Sequence, residues 1–174
     1  MTHAHIDHIG RIPDLVLSGF NGEIITTEPT RALLKPMLHD AMRFDRMGER
    51  EVTSVESALE ELCWAFEYDE AFDLKKGMRF RLRRAGHILG SCTVHLWSEA
   101  AKWSVVFSGD LGSGKRPILP EADPPDPCGL LVLESTYGGS LHGGMDRRVE
   151  QLGALLTKAL TDGGKVFIPA FALG

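Results

Sequence analysis

Apolar and polar residues recur along this chain with two different periods, and the changes between them mark its elements. Residues 12–20 read as a short helix running to an Asn21-Gly22 turn, and residues 23–27 as a strand. Leu33, Leu34, Met37 and Leu38 have helical spacing within residues 29–43, where Pro36 is expected to kink or split the helix. Thr53-Ser54-Val55-Glu56 has the form of a capping box, and Val55, Leu59, Leu62, Cys63 and Phe66 follow it on one helical face. From Gly77 the period falls to two. Met78, Phe80 and Leu82 alternate with Arg79, Arg81 and Arg83, which predicts a half-buried strand with a basic outer face.

Residues 92–97 and 103–107 read as two strands joined by a polar turn, the second stopping at Ser108-Gly109-Asp110. Residues 112–129, with five prolines, predict a surface loop. An apolar strand over 130–133 ends at Glu134. Residues 146–160 predict a helix with Val149, Leu152, Leu156, Ala159 and Leu160 on its inner side and Gly163-Gly164 at its end, and 165–171 a further buried strand. Mixed strands and helices of this kind describe a layered α/β domain. Several strands end in a polar residue followed by glycine, which is how a scaffold presents side chains at one rim.

Composition narrows the functional classes. A chain of 174 residues, 43% apolar and 25% charged, can bury a real core, and its net charge of −5 argues against coating nucleic acid by bulk positive charge. Any contact with nucleic acid must be local. Cys63, Cys92 and Cys128 are odd in number and widely spaced, so they suggest neither a disulfide framework nor a thiolate zinc site, and a reducing cytoplasm is the simplest setting. No apolar run approaches the roughly 20 residues that span a bilayer, so a soluble protein without membrane contact is expected.

The densest chemistry is His3-x-His5-x-Asp7-His8, because Zn²⁺ favours nitrogen and oxygen donors. In an extended segment His3 and His5 point to one side and can grip one ion, while the following turn lets Asp7 and His8 reach a second. A histidine-rich terminus that picks up metal adventitiously is the alternative. His87 lies in a glycine-bounded turn after a strand, and Asp110 at a strand end before Leu111-Gly112. Both are places from which side chains can converge at a rim. Glu134 at its strand end could equally cap backbone N–H groups. Arg79, Arg81 and Arg83, with Lys75, Lys76 and Arg84 nearby, could meet nucleic-acid phosphates or form a solvated, edge-protecting face. His39 and His95 read as packing or surface residues, and His142 as a loop residue near the rim.

THAHIDH, AGHILGS, SGDLG and ESTYG, in this order, resemble the successive motifs of the metallo-β-lactamase superfamily, and ESTYG with the PAFALG ending resembles its β-CASP branch of RNA-processing nucleases. The resemblance covers essentially the whole chain. It implies a partial αββα four-layer sandwich, with residues 1–174 forming part of the metallo-β-lactamase domain and stopping near the start of the β-CASP insertion. It also implies two zinc ions, an RNA substrate and metal-dependent phosphodiester hydrolysis, and it admits a homodimer. By motif, His3, His5 and His87 would bind the first zinc, Asp7 and His8 the second, and Asp110 would bridge both. Asp7, Asp110 and Glu134 would serve catalysis, Glu134 near the leaving group. In the family two later histidines, one paired with that acid and one on the second zinc, complete the site, and strands with an Asp motif precede HxHxDH. None has a counterpart in this sequence, so a fragment is expected. Alternatives are a thioesterase or lactonase on the same scaffold, or a non-catalytic metal-binding fragment.

Overall fold

The computed structural model describes residues 1–114, 118–140 and 147–174. The chain divides into two compact units, Met1–Glu134 with Leu173, and Ser135–Ala172 with Gly174.

The larger unit is mixed α/β. Its elements are helices α1 (Ile6–Ile9), α2 (Ile12–Leu17), α3 (Glu28–Phe44) and α4 (Glu49–Leu62), and strands β1 (Ile24–Thr26), β2 (Cys63–Ala65), β3 (Ala71–Asp73), β4 (Arg79–Arg84), β5 (Cys92–Ser98), β6 (Trp103–Phe107) and β7 (Leu130–Val132). Parallel β1 and β2 form a small sheet, with Ile24 opposite Cys63 and Thr26 opposite Ala65. The other five strands form a second sheet in the order β3-β4-β5-β6-β7, antiparallel except for the parallel β6–β7 pair.

Helix α3 buries Thr30, Leu34, Leu38 and Met42, a spacing of four that keeps one face on the core. It also runs unbroken through Pro36, so the helix is not split there. Pro36 and Ala32, whose carbonyl loses its amide donor, both face solvent, so water can satisfy that oxygen while Leu34 and Leu38 hold the helix down. Helix α4 begins at Glu49, one turn before the expected cap. Gly48 N donates to Glu51 Oε2 (3.0 Å), whereas Thr53 lies inside the helix with its hydroxyl donating to Glu49 O (2.9 Å). Cys63 and Phe66 are not on the helix either, because the chain becomes extended at Cys63 to pair with β1. A three-residue strand after a helix is too short to show a period of its own.

Helices α1 to α4 and the small sheet enclose one core cluster, centred on Ile9, Leu34, Leu38, Met42, Val55 and Leu59. Phe80, Leu82 and Cys92 form another, against which Ile25, Phe66, Phe72, Val94 and Leu96 pack, so the two sheets meet face to face. Phe66, Phe72 and Phe80 lie within 4.6–5.4 Å of one another by ring centroid, and full burial of such a side chain contributes roughly 1.5–3 kcal/mol. The alternation expected over residues 78–84 is present: Phe80 and Leu82 are buried, and the arginines line the opposite face.

Strand β7, although apolar, is exposed along its length at the sheet's edge. In the smaller unit helix α5 (Arg148–Asp162) ends at Gly163 in the left-handed conformation (φ 69°), as the glycine pair predicts. Val149, Leu152, Leu156 and Leu160 are exposed, however, rather than turned to a core. Residues 165–171 form no strand, and Val166, Phe167, Ile168 and Phe171 are exposed. Periodicity shows which face can be buried, but a ladder needs a partner strand, and none is paired with this segment among the described residues. No helix of the described residues is long and apolar enough to cross a membrane. Cys63, Cys92 and Cys128 are all free.

Candidate metal centre

Three separate stretches of the larger unit bring their polar side chains to one place. The amino-terminal segment is extended up to His5 (φ −65°, ψ 146°) and is wedged between the sheets: Met1 N donates to Ile25 O (2.8 Å) and Cys92 N to Thr2 O (2.8 Å). Helix α1 then starts at Ile6, so the direction of the side chains changes between His5 and Asp7.

His87 sits in the turn between β4 and β5. The Ser91 hydroxyl accepts from His87 N (3.0 Å) and Ile88 N (3.2 Å), and Gly90 O accepts from Thr27 Oγ1 (2.6 Å) and Thr30 Oγ1 (2.9 Å). This turn is therefore pinned to the start of α3. Gly90 has φ 84°, and a Cβ there would lie 2.6 Å from Thr30 N, so only glycine fits. Asp110 follows β6, on a turn whose Gly109 (φ 54°) rests against Thr2, and Gly112 N donates to Ala85 O (2.8 Å) beside the His87 turn.

As a result His3, His5, His87 and Asp110 each offer one ligand atom, all within 4.8 Å of one another. Asp110 divides its oxygens. Oδ2 lies 3.6 Å from His87 Nε2 and 3.7 Å from His3 Nε2, while Oδ1 lies 3.2 Å from His8 Nε2. Asp7 is mostly exposed and reaches His8 Nε2 at 3.5 Å. Five of the six residues expected at the metals thus converge directly, and Asp7 borders them through His8.

Electrostatics favour a cation here. His3 is fully buried, and burial, then the neighbouring His8, His87 and His5, push its pKa down to about 3, so it is neutral at physiological pH. With its proton on Nδ1, beside Thr2 Oγ1 (3.2 Å), His3 presents a bare Nε2, which is buried without a hydrogen-bond partner. His5 Nε2 lies 2.9 Å from Leu173 O, an acceptor that fixes the proton on that nitrogen and turns the Nδ1 lone pair towards His87 Nε2, 3.0 Å away. Carbonyl or hydroxyl partners on the outer ring nitrogens are the usual arrangement around metal-binding histidines. The donor set, neutral imidazoles with one carboxylate, fits Zn²⁺ or a similar divalent ion.

Glu134 borders the centre. Its Oε1 accepts from Leu111 N (2.7 Å), the residue after Asp110. This carboxylate therefore caps a backbone N–H beyond its strand end. Sequence reasoning passed over Thr2, Thr27, Thr30, Ser91 and Ser108, which hold the ligand-bearing turns. For Thr2, Ser91 and Ser108 a hydroxyl residue next to a ligand or glycine was the available sign, whereas Thr27 and Thr30 reach Gly90 only through the fold.

The basic ladder is a different case. Arg81 Nη1 and Arg83 Nη1 donate to the two oxygens of Asp126 (3.0 and 2.7 Å), and His95 Nδ1 donates to Asp126 Oδ2 (2.9 Å). Burial raises the Asp126 pKa, but the bonds from His95 and Arg81 and the charges of Arg83 and Arg81 outweigh it and hold the carboxyl below its ordinary value. Arg79 pairs with Asp73 (2.9 Å) and Arg84 with Asp69 (3.1 Å). His39 likewise bonds Glu56 (2.8 Å). His142 lies outside the described residues.

The chain is similar to known proteins along its length. The family model described as the metallo-beta-lactamase superfamily matches residues 1–170. A ribonuclease of Thermus thermophilus is 35% identical over 99% of this chain and 39% of its own length. The transcription termination factor FttA of Methanothermobacter thermautotrophicus is 34% identical over the whole chain and 28% of its own length. The endoribonuclease YSH1 of Candida glabrata is 30% identical over the whole chain and 24% of its own length. The chain thus spans at most 39% of the length of these relatives.

Proposed function

Because the chain belongs to the metallo-β-lactamase superfamily, we propose that it carries the metal-binding centre of a zinc-dependent, β-CASP-type nuclease that hydrolyses phosphodiester bonds in RNA. The observation that carries this reading is the convergence of His3, His5, His87 and Asp110 within 4.8 Å. The ESTYG motif and relatives named as ribonucleases favour RNA as the substrate. Three free cysteines are in keeping with a reducing cytoplasm.

In this reading His3, His5 and His87 would hold one ion, Asp7 and His8 would hold a second, and Asp110 would contribute to both. When bound, two such ions lower the pKa of a water and stabilise negative charge on the phosphodiester oxygens. The protein's own work is to keep the imidazoles neutral, as burial does for His3, and to hold Asp110 between the two groups of histidines. Hydrolysis joins the water oxygen to phosphorus as the scissile P–O bond breaks, and the departing oxygen takes a proton. Glu134 is assigned to this protonation together with the later histidine that pairs with this acid in the family, as Asp7 and Asp110 are assigned to the metal-borne chemistry.

The test uses the whole protein that carries this segment, stripped with a chelator and reloaded with zinc, offered RNA, DNA and an ester in parallel. RNA cleavage that appears only on reloading is expected. Ester turnover with RNA untouched would move the chain to the thioesterase or lactonase class. Metal uptake with no turnover of any substrate would leave a binding role alone.

A further inference from the structure

We infer that Glu134 is also a positioning residue, which holds the Asp110 carboxylate in place through the Leu111 amide. This rests on the metal-holding reading above and adds to it a job that proton transfer does not require.

The placement follows from the parallel ends of β6 and β7. Ser108 N donates to Val132 O (2.9 Å), continuing the ladder one step past the last β6 residue. Glu134 N then donates to Ser108 Oγ (3.0 Å), and that hydroxyl donates to Gly109 O (2.7 Å). Two residues further on, Leu111 N donates to Glu134 Oε1 (2.7 Å). The segment from Ser108 to Leu111 therefore begins and ends on Glu134, and Asp110 lies inside the closed ring. Ser108 is 4% exposed, so water competes little for its hydroxyl.

Asp110 has a demanding task in this centre, since one oxygen faces His8 and the other faces His3 and His87. A small rotation of its turn would lose one side. Thr2 limits that motion from the amino-terminal segment and Ala85 from the His87 turn, while Glu134 supplies the constraint from β7. What the Leu111 amide needs is an acceptor oxygen at this reach, not a negative charge. A glutamine carbonyl meets the requirement; the carboxylate of aspartate, one methylene shorter, keeps the charge but does not reach.

The decisive measurement is zinc affinity of the full chain, by competition with a chromophoric chelator, and the cobalt(II) visible spectrum. Glu134→Asp is expected to weaken zinc binding by roughly 10–100-fold, the usual cost of losing a partner that orients a ligand, and to alter the cobalt spectrum. Glu134→Gln should bind as the parent does with the parent's spectrum. Both variants keep a polar side chain of similar size, and thermal melting confirms that each is folded; Ser108→Ala gives a second route to the same loss. Parent-like affinity in Glu134→Asp, or equal weakening in Glu134→Gln, would overturn the inference. RNA cleavage by the same proteins separates the two proposals. A parent that binds zinc but cleaves nothing removes the nuclease reading and leaves positioning intact, whereas parent-like zinc binding in Glu134→Asp by a protein that cleaves RNA does the reverse.

Discussion

Two clusters of polar side chains are built on the same five-stranded sheet, and their charges are balanced in opposite ways. At the rim, four imidazoles meet one carboxylate, with the His3 Nε2 lone pair buried without a partner and His5 facing His87 across 3.0 Å. On the outer face, Arg81, Arg83 and His95 meet Asp126, whose two oxygens are both taken. The rim cluster gathers neutral nitrogen donors around a carboxylate, while the outer cluster meets its carboxylate with cationic side chains of the same chain. A concentration of charged residues is thus a poor guide to function by itself. Whether a counter-charge is already supplied is what distinguishes a receptive centre from a structural strap.

Removing the shared carboxylate should break the rim cluster most severely. Asp110→Ala takes away the group between the two sets of histidines, and metal-borne stabilisation of several kcal/mol corresponds to roughly 10²–10³-fold in rate. Zinc uptake should fall with RNA cleavage in the full chain. Unchanged cleavage in a fully folded Asp110→Ala protein would defeat the two-metal reading.

The outer cluster should respond in stability rather than in metal binding. Asp126→Ala takes the carboxylate from the half-buried Arg81 guanidinium and the buried His95 imidazole, while Arg83 keeps its pair with Asp69 (3.3 Å), a loss of about 1–3 kcal/mol in urea or thermal unfolding. Zinc affinity should stay at the parent value, and a large fall in it would erase the contrast between the clusters.

Proton linkage gives a finer version of the same test. The Asp126 carboxyl is held below its unfolded value of 3.8, so the folded state keeps it ionised where the unfolded chain has begun to bind a proton. Its contribution is complete above that value and is lost as the pH falls through the lower folded pKa. The gap in melting temperature between the parent and Asp126→Asn should therefore be constant near neutrality and close below about pH 4. A gap that persists undiminished at pH 2 would show that Asp126 acts by packing and not by charge.

Sequence reading anticipated the rim better than it did the scaffold, for a physical reason. HxHxDH, the His87 turn and Asp110 are recognisable because metal binding needs rare residue types at fixed local spacing. Phe80, Leu82 and the arginines between them were legible for a similar reason, since six residues are enough for a period of two to show. The strands β2 and β3 are three residues each, too short to show a period, and owe their existence to their partners, Ile24 to Thr26 far back in the chain and Arg79 to Arg81 across a short turn. Thr53 offered a good cap, but Glu51 captured the Gly48 amide one turn earlier. The exposure of Leu152 and Leu156 on α5 and of Phe167 beyond it makes the same point: an apolar pattern states a preference, and burial depends on what is there to pack against.

The smallest expected effect is also the sharpest test of whether the arginine ladder takes part in RNA binding. Each phosphate contact made by a basic side chain adds close to one unit to the slope of log affinity against log salt, so losing a true contact lowers the slope by about 1. Arg79 is the ladder residue to probe, because its guanidinium is paired with Asp73 and lies 5.5 Å from the Trp97 ring, away from the Asp126 strap. An arginine already held by a carboxylate releases no extra counterions when RNA arrives. Arg79→Gln in the full chain should therefore leave the salt slope for an RNA oligonucleotide unchanged, with zinc loading held constant. A slope reduced by about one unit would mean that Arg79 exchanges Asp73 for a phosphate on binding, and the outer face would then belong to the RNA path.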